Sequence, residues 1–312
     1  MATYKKALVT GGAGFIGSHI VDALIRKHIK VVVLDDLSYG KKENVNPNAE
    51  FLKLSITSPQ LASAVKRIKP DIIFHYAALK NVRESLKNPM YDAEVNVLGT
   101  LALIEAGQKA GVKKIIFAST GGAMYTDSHK HRCPWSEDVV DEPVSPYGVA
   151  KRAGELYLNF AREVYGIPYV ALRYANVYGP RQDTSGEGGV VSIFAHGMLS
   201  GNSLKIFGSG KQTRDFVYVE DCVRAAMIGM EKPVSGIFNI GTGKEIDVNT
   251  LFRKLSKMTG SEAAEKHVAA NTGEVMRSCL DVRHARRVLG WTPKVSFDEG
   301  LARTVEWIRK RE

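Results

Sequence analysis

The chain has 312 residues, of which 44% are hydrophobic, and carries a formal net charge of +10 at pH 7. No apolar run approaches about 18 residues, so we expect a globular protein of one large or two modest domains, without a membrane span or signal peptide. The dispersed lysines and arginines argue against nucleic acid, and the three separated cysteines argue against disulfides or a metal site, so we expect a cytoplasmic protein with free thiols.

The first predicted strand, Lys6–Thr10, runs into a glycine-rich loop that is followed by a helical pattern. Such a unit lays a dinucleotide pyrophosphate on the helix N-terminus, where backbone N–H groups and the helix dipole favour negative charge. Gly11 permits the tight turn, Gly14 admits the phosphates, and Gly17 lets the helix pack on the strand. One spacing starts at Gly11 and another at Gly12, and the glycines alone do not choose between them.

The second predicted strand, Val31–Leu34, ends at Asp35. An acidic residue about 20 residues after the glycines is placed to bond the ribose hydroxyls and to repel a 2′-phosphate. The pattern therefore favours NAD over NADP, although Asp36, Lys41 and Lys42 weaken that preference slightly.

Short apolar runs at residues 71–74, 114–117 and 169–172 alternate with helical patterns such as 91–110 and 147–165. This alternation predicts an α/β fold, a Rossmann-type doubly wound parallel sheet. After Tyr174 the pattern loosens, and helical patterns at residues 248–258 and 297–309 predict a smaller C-terminal α/β substrate-binding domain. We expect the apolar runs 216–219 and 236–240 to rejoin the first domain. The predicted domains are residues 1–175, to which 217–243 returns, and residues 176–312.

Tyr147 and Lys151 lie one helical turn apart at the start of a predicted helix. A nearby ammonium group favours a phenolate, so the pair is suited to act as a base. Tyr76 and Lys80 have the same spacing, which shows that the pair alone is weak. Ligands of doubly wound sheets bind beyond the strand carboxyl ends, and Thr120 follows the strand that precedes Tyr147, so we favour Tyr147 with Lys151 over Tyr76 with Lys80.

These motifs resemble those of the extended short-chain dehydrogenase/reductase superfamily, and within it the NAD-dependent epimerase/dehydratase family of UDP-glucose 4-epimerase-like enzymes. The likeness runs nearly end to end. It rests on Thr10–Gly17, Asp35, His75–Lys80, Asn96, Ser119–Thr120, Tyr147 with Lys151, Arg173–Asn176, Arg214–Asp215, Asn239–Gly243 and Leu289–Trp291. The resemblance implies tightly bound NAD, a UDP-sugar substrate, and a homodimer formed by the helices over residues 91–110 and 147–165.

The resemblance also implies a reaction, the 4-epimerisation of a UDP-hexose. Tyr147 would take the proton of the sugar 4-hydroxyl while hydride passes from C4 to NAD, and the 4-keto sugar would turn over and be reduced on its other face. Lys151 would stabilise the phenolate and bond the nicotinamide ribose, and Thr120 would bond the 4-oxygen. Counting forward from Phe117 selects Thr120, whereas counting back from Tyr125 selects Gly121, so this position stays open here.

Further contacts are implied at matched positions. On the cofactor side they are Gly11, Gly14, Phe15, Ile16, Gly17, Asp35, Asp36, Ala77, Ala78, Lys80, Asn96, Tyr147 and Lys151. On the substrate side they are Thr120, Asn176, Val190, Lys205, Ile206, Phe207, Arg214, Glu274 and Ser278. Arg214 suits a diphosphate because its planar fork matches phosphate oxygens, and a surface ion pair with Asp215 is the alternative. Asn271 stands where the family often has a diphosphate-binding arginine.

Ser278 is the position that bears on the sugar, because in the family a bulky residue there excludes N-acetyl groups. A serine predicts that UDP-N-acetylhexosamines are accepted beside UDP-glucose and UDP-galactose. Gly121 and Gly122 lack the carboxylate that the related dehydratases and decarboxylases place after the threonine. UDP-glucuronate 4-epimerisation, another NAD-dependent change to a nucleotide sugar, and a non-catalytic NAD-sensing module remain as alternatives.

Overall fold

The computed structural model describes residues 4–125, 133–139, 142–184, 189–270 and 275–311. Its α-helices are α1 (Phe15–Arg26), α2 (Leu61–Ile68), α3 (Val82–Lys87), α4 (Pro89–Ala93), α5 (Gly99–Ala110), α6 (Pro146–Tyr165), α7 (Val190–Leu199), α8 (Val219–Glu231), α9 (Val248–Thr259), α10 (Arg283–Leu289) and α11 (Phe297–Arg309). Its strands are β1 (Lys6–Thr10), β2 (Lys30–Asp35), β3 (Glu50–Lys53), β4 (Ile72–His75), β5 (Lys114–Thr120), β6 (Tyr169–Tyr174), β7 (Asn176–Tyr178), β8 (Ile206–Phe207), β9 (Thr213–Tyr218), β10 (Gly236–Ile240), β11 (Glu245–Asp247) and β12 (His267–Val268). A 3₁₀ turn spans Lys42–Asn44, and a π turn spans Glu94–Leu98.

The main sheet confirms the predicted Rossmann-type architecture. Its seven strands lie in the order β10-β6-β5-β4-β1-β2-β3, and every neighbouring pair is parallel. Apolar side chains of α1 and α8 pack on one face, and those of α2, α5 and α6 pack on the other. Strand order reverses between β1 and β4, so the carboxyl ends of these strands form the crevice in which such sheets bind ligands.

A second lobe contains the remaining strands. The three-stranded sheet β11-β9-β7 and the two-stranded sheet β12-β8 surround a separate apolar core built largely from α7, α9 and α11. Residues 236–240 rejoin the main sheet beside β6 as predicted. Residues 216–219 end β9 and begin α8; β9 pairs with β7 and β11 rather than with the main sheet, although Val217 packs in the core of that sheet. An apolar run shows that a strand is buried, but it does not select the neighbouring strand.

The helical pattern predicted over residues 91–110 consists of three consecutive elements, which are α4, the π turn and α5. A π turn adds a residue to the helix and often marks a functional region.

Across the described ranges, no helix combines the length and apolar character that a membrane crossing requires. In the same ranges, no cluster of three or more His, Cys, Asp or Glu side chains is arranged to hold a metal ion.

Candidate active site

The glycine loop after β1 leaves the N-terminus of α1 open. Gly11 has φ +69°, and a Cβ there would collide with the Ala77 backbone nitrogen, while a Cβ at Gly17 would collide with the Gly11 carbonyl. At Gly14 the closest atom to an added Cβ is the Gly11 oxygen at 3.1 Å. Gly14 caps α1 without a side-chain hydrogen bond, and the first turn carries no acidic residue. Positive φ and backbone contacts make glycine necessary at Gly11, whereas at Gly12 the close atoms belong to the Val33 side chain, so the loop fits the spacing that starts at Gly11 and its positive helix end fits a pyrophosphate.

Asp35 ends β2 and is buried against this loop. Its carboxylate accepts hydrogen bonds from the backbone N–H groups of Ala13 and Leu37, both at 2.9 Å. Burial raises the pKa of Asp35, and these hydrogen bonds oppose the rise. A carboxylate has about four acceptor sites, so Asp35 can hold the loop and still meet ribose hydroxyls. Asp36 is exposed and accepts a hydrogen bond from the Ser38 hydroxyl at 2.6 Å, which places it in the surface turn.

Helix α6 carries Tyr147 and Lys151 on its first turns. Ser145 caps the helix by accepting a hydrogen bond from the Gly148 N–H at 3.1 Å, and Pro146 occupies the first turn, where its missing N–H costs nothing. The helix start predicted near Tyr147 is therefore confirmed. The cap fixes the first turns of α6, which direct both side chains toward the carboxyl end of the main sheet.

The three predicted catalytic side chains meet at the carboxyl end of β5. Lys151 Nζ donates to the Ala118 carbonyl oxygen at 3.0 Å and lies 5.9 Å from the centre of the Tyr147 ring. The Thr120 hydroxyl lies close enough to the Tyr147 phenol to lower its pKa. A hydroxyl, a phenol and an ammonium group thus lie beside one another at the ligand-binding edge of the main sheet.

Burial dominates the ionisation of this group. It raises the pKa of Tyr147 to about 12; the charge of Asp92 adds to the rise, and the Thr120 hydroxyl opposes it. Burial lowers the pKa of Lys151 to about 8, against the opposing effects of Asp92 and Glu155. In the chain by itself, desolvation is the largest influence on the pKa of the Tyr147 phenol. A phenolate at neutral pH needs further positive charge at this site.

The structure also distinguishes the hydroxyl candidates at the end of β5. Ser119 Oγ donates to Glu155 Oε1 at 2.6 Å, so this hydroxyl is already bound away from Tyr147. A Cβ at Gly121 would lie 2.6 Å from the Leu280 side chain, which leaves that position no room for a hydroxyl. The count forward from Phe117, which selects Thr120, agrees with this geometry.

A buried ion pair behind β5 was not predicted. Arg173 donates from Nε to Glu155 Oε1 at 2.9 Å and from Nη2 to Oε2 at 2.7 Å, and neither side chain is more than 1% exposed. Arg173 also donates to the Tyr125 hydroxyl at 2.7 Å. Because Glu155 holds Ser119, this network fixes the strand end that carries Thr120. The only signal in the sequence is a charged residue, Arg173, directly after the apolar run of β6.

Asn96 holds the loop after β4. Its amide oxygen accepts from the Leu79 N–H, and its amide nitrogen donates to the Leu79 carbonyl, both at 2.9 Å. Asn96 is buried, and these bonds position the loop. That loop carries Ala77 and Ala78, which are half-buried, and Lys80, which is exposed with Nζ 5.8 Å from the Tyr39 ring centre.

The predicted nucleotide residues differ in exposure. Asn176 begins β7 and Val190 begins α7, and both line one small cavity. Lys205 and Phe207 are exposed, whereas the Ile206 side chain is buried in the core of the second lobe. Ile206 can therefore offer a ligand only its backbone. Across the cleft, the Arg83 guanidinium of α3 lies 6.0 Å from the Phe207 ring centre, a contact between the lobes that was not predicted.

Arg214 and Ser278 lie along β9. Arg214 Nη1 donates to the Val275 carbonyl oxygen at 2.8 Å, and the Ser278 carbonyl accepts from the Asp215 N–H at 2.8 Å. The Asp215 carboxylate is buried and accepts hydrogen bonds from the backbone N–H groups of residues 242, 243 and 280. Two positions singled out in the sequence lie outside the described residues: Asn271 and Glu274.

The pattern of the NAD dependent epimerase/dehydratase family matches residues 7–241. The chain belongs to this family. Its cofactor is accordingly NAD, whose pyrophosphate the bare Gly14 and the uncapped α1 fit. The chain is 43% identical to a UDP-glucose 4-epimerase of Mycolicibacterium smegmatis, over 98% of this chain and 99% of that one.

Solved structures of family members agree with the fold. A UDP-glucose 4-epimerase from Thermotoga maritima, crystallised with UDP-glucose, is 48% identical and superposes with a TM-score of 0.96, over 98% of this chain and 99% of that one. A UDP-N-acetylglucosamine 4-epimerase from Methanobrevibacter ruminantium, in complex with UDP-N-acetylmuramic acid, is 36% identical with a TM-score of 0.93, over 100% of both chains.

Proposed function

We propose that this chain catalyses the NAD-dependent 4-epimerisation of a UDP-hexose. The observation that carries the proposal is the meeting of Thr120, Tyr147 and Lys151 at the edge of the sheet that also holds the glycine loop. The similarity to the epimerases from Mycolicibacterium smegmatis and Thermotoga maritima supports the same reaction.

Each residue of the site has a distinct role in the proposed reaction. Tyr147 takes the proton of the sugar 4-hydroxyl and returns it after the sugar has turned, so no net acid or base is consumed. Bound NAD supplies a hydride acceptor and donor for the sugar C4, together with the positive charge of its nicotinamide ring. Thr120 orients the 4-oxygen toward Tyr147, and Lys151 adds positive charge behind the phenol.

Space for the sugar to turn is provided at Gly122. The closest atom to a Cβ added there is Asn176 Oδ1 at 3.9 Å, so this side of the cleft is open. The same bare backbone argues against the dehydratase and decarboxylase reactions, which need a carboxylate after the threonine. Gly121 has no side chain to supply one, and Leu280 fills the space beside it.

We place the cofactor on residues 1–175 together with 217–243, and the UDP-sugar on residues 176–312. On this assignment the glycine loop, Asp35 and the loop after β4 hold NAD. The nucleotide and sugar contacts that we propose are Asn176, Val190, Lys205, the Ile206 backbone, Phe207, Arg214, Glu274 and Ser278. The buried thiols of Cys133, Cys222 and Cys279 are not joined in disulfides within the described residues, which supports a cytoplasmic location, where thiols stay reduced.

The purified protein is expected to interconvert both UDP-glucose with UDP-galactose and UDP-N-acetylglucosamine with UDP-N-acetylgalactosamine. The small side chain of Ser278 leaves room beside the sugar 2-position. Each sugar, with UDP-glucuronate as a further arm, is incubated separately without added NAD, and the 4-epimers are resolved. Turnover of UDP-glucuronate alone would replace the hexose proposal, and no turnover of any nucleotide sugar would favour the NAD-sensing module.

The variant Ser278→Tyr sharpens this experiment, because a bulky ring should remove N-acetyl turnover and spare the plain hexoses. Ser278→Ala is the matched control and should keep both activities, since it removes only a hydroxyl. Equal losses on both sugar types in Ser278→Tyr would show that Ser278 does not adjoin the 2-substituent.

A symmetric homodimer is expected in solution. Apolar side chains lie exposed at helical spacing on α6 and on the neighbouring helix, namely Tyr91, Leu98, Val149, Leu156 and Phe160. An exposed apolar surface of this kind on a globular chain marks a protein contact, and a two-fold dimer is the commonest solution. Light scattering should give twice the chain mass, and Leu156→Glu should lower it to one chain. A wild-type protein of one chain mass would contradict the proposal.

A further inference from the structure

Asp92 is a buried carboxylate that the mechanism above does not use. It lies on α4 and is 1% exposed. Its Oδ1 accepts a hydrogen bond from Asn96 Nδ2 at 3.0 Å, whereas Oδ2 has no hydrogen-bond partner among the described residues. Burying a carboxylate oxygen without a partner is costly, so a residue of this kind calls for an explanation.

Asp92 lies on the helix that packs against the one carrying the proposed catalytic pair. Helix α4 packs against α6, and the charge of Asp92 raises the pKa of both Tyr147 and Lys151. Reciprocally, burial raises the pKa of Asp92, while Asn96 and Lys151 lower it. Asp92 therefore shares one electrostatic environment with the phenol and the ammonium group.

The other charged groups around Asp92 are already matched. Glu155, the second carboxylate near Lys151, is paired with Arg173 at 2.7 Å and with Arg152 at 3.2 Å. On α3, Glu84 pairs with Lys87 at 2.6 Å on the surface.

Two further titratable groups belong to the elements around the site. His75 of β4 bonds the hydroxyls of Thr10 and Thr100, and burial lowers its pKa to about 3, so it is uncharged at neutral pH. Glu94 of the π turn is exposed to solvent. Within the described part of the chain, Asp92 is therefore the buried carboxylate without its own cation beside the Tyr147–Lys151 pair.

We propose that Asp92 is a positioning residue, the counter-charge of the Tyr147–Lys151 pair, which fixes the protonation state in which that pair works. It acts through these two residues and needs no contact with the substrate. The inference rests on the roles proposed above for Tyr147 and Lys151 and adds a third residue to them.

The test is Asp92→Asn, which keeps the shape and the acceptor for Asn96 and removes only the charge. Removing a negative charge makes both a phenol and an ammonium group easier to deprotonate. Both limbs of the pH profile of kcat/KM should therefore move to lower pH, by about one unit. The phenolate absorbance of Tyr147 in the NAD-bound protein, measured as the difference from Tyr147→Phe in each background, should titrate at correspondingly lower pH.

The controls separate charge from structure. Asp92→Glu keeps the charge, and Glu84→Gln removes an exposed acid nearby, so neither should move the limbs. A lower rate in Asp92→Asn with unmoved limbs and an unmoved phenolate midpoint would show a structural role and overturn the inference. The absorbance titration needs no turnover, so it decides even if the proposed reaction fails. If Asp92→Asn does not fold, Asp92→Ser is compared with Asp92→Glu by the same criteria.

Discussion

Replacement of Tyr147 by phenylalanine is expected to lower kcat for 4-epimerisation by about 10²- to 10⁴-fold. The ring still packs beside Lys151, which keeps its hydrogen bond to Ala118, but the group that exchanges the proton with the sugar is gone. The measurement is the rate of interconversion of UDP-glucose and UDP-galactose, together with the NAD released on denaturation. Bound NAD should persist, because the glycine loop and Asp35 are untouched.

Tyr76→Phe is the matched control for this variant. Tyr76 and Lys80 share the spacing of Tyr147 and Lys151, but the Tyr76 hydroxyl bonds the Tyr174 hydroxyl at 2.7 Å inside the protein. Its loss should leave epimerisation within a few fold. Comparable losses in the two variants would mean that Tyr147 does not carry the proton, and loss of NAD from Tyr147→Phe would locate its effect in binding.

Replacement of Glu155 by glutamine is expected to lower the free energy of unfolding by about 3–5 kcal/mol. The substitution leaves the Arg173 guanidinium, which is 1% exposed, buried without its carboxylate partner. It also weakens the acceptor of the Ser119 hydroxyl at the end of β5. Chemical denaturation measures the first effect, and the epimerisation rate should fall as well because Thr120 adjoins Ser119.

The control for the ion pair lies on the same helix. Glu163 pairs with Arg162 at 2.6 Å, but 57% and 43% of their side chains are exposed. Glu163→Gln should therefore cost under about 1 kcal/mol, since water screens and replaces that attraction. Similar costs for the two substitutions would show that burial does not set the strength of the Glu155–Arg173 pair.

The main sheet could be predicted because its signals are local. Buried parallel strands are short apolar runs, and β1 begins and ends where the run Lys6–Thr10 predicts. β3 was not predicted because its four residues are only partly buried and carry no clear pattern. The sheet in which β9 pairs could not be predicted, because the choice between two lobes is a property of the whole chain.

The active site also contains some contacts that local sequence spacing predicts and others that depend on the whole fold. Tyr147 and Lys151 are four residues apart, so one helix brings them together, and their pairing could be read from spacing. Asp92 lies far from them in the chain and reaches them only because α4 packs on α6. Spacing along α6 reports the neighbouring charge of Lys151 but not the depth of burial, which is the largest influence on the pKa of Tyr147 in the chain by itself.

The π turn at Glu94–Leu98 explains how one continuous helical stretch can pack against two different surfaces. An α-helix turns by about 100° per residue, so one residue gained or lost rotates everything on one side of that point relative to the other. Before the turn, α4 packs against α6; after it, Leu103 and Ile104 of α5 pack in the core of the main sheet. A deletion of one residue within the turn would rotate α4 relative to α5 and displace Asn96, so the length of this turn is constrained as well as its buried side chain.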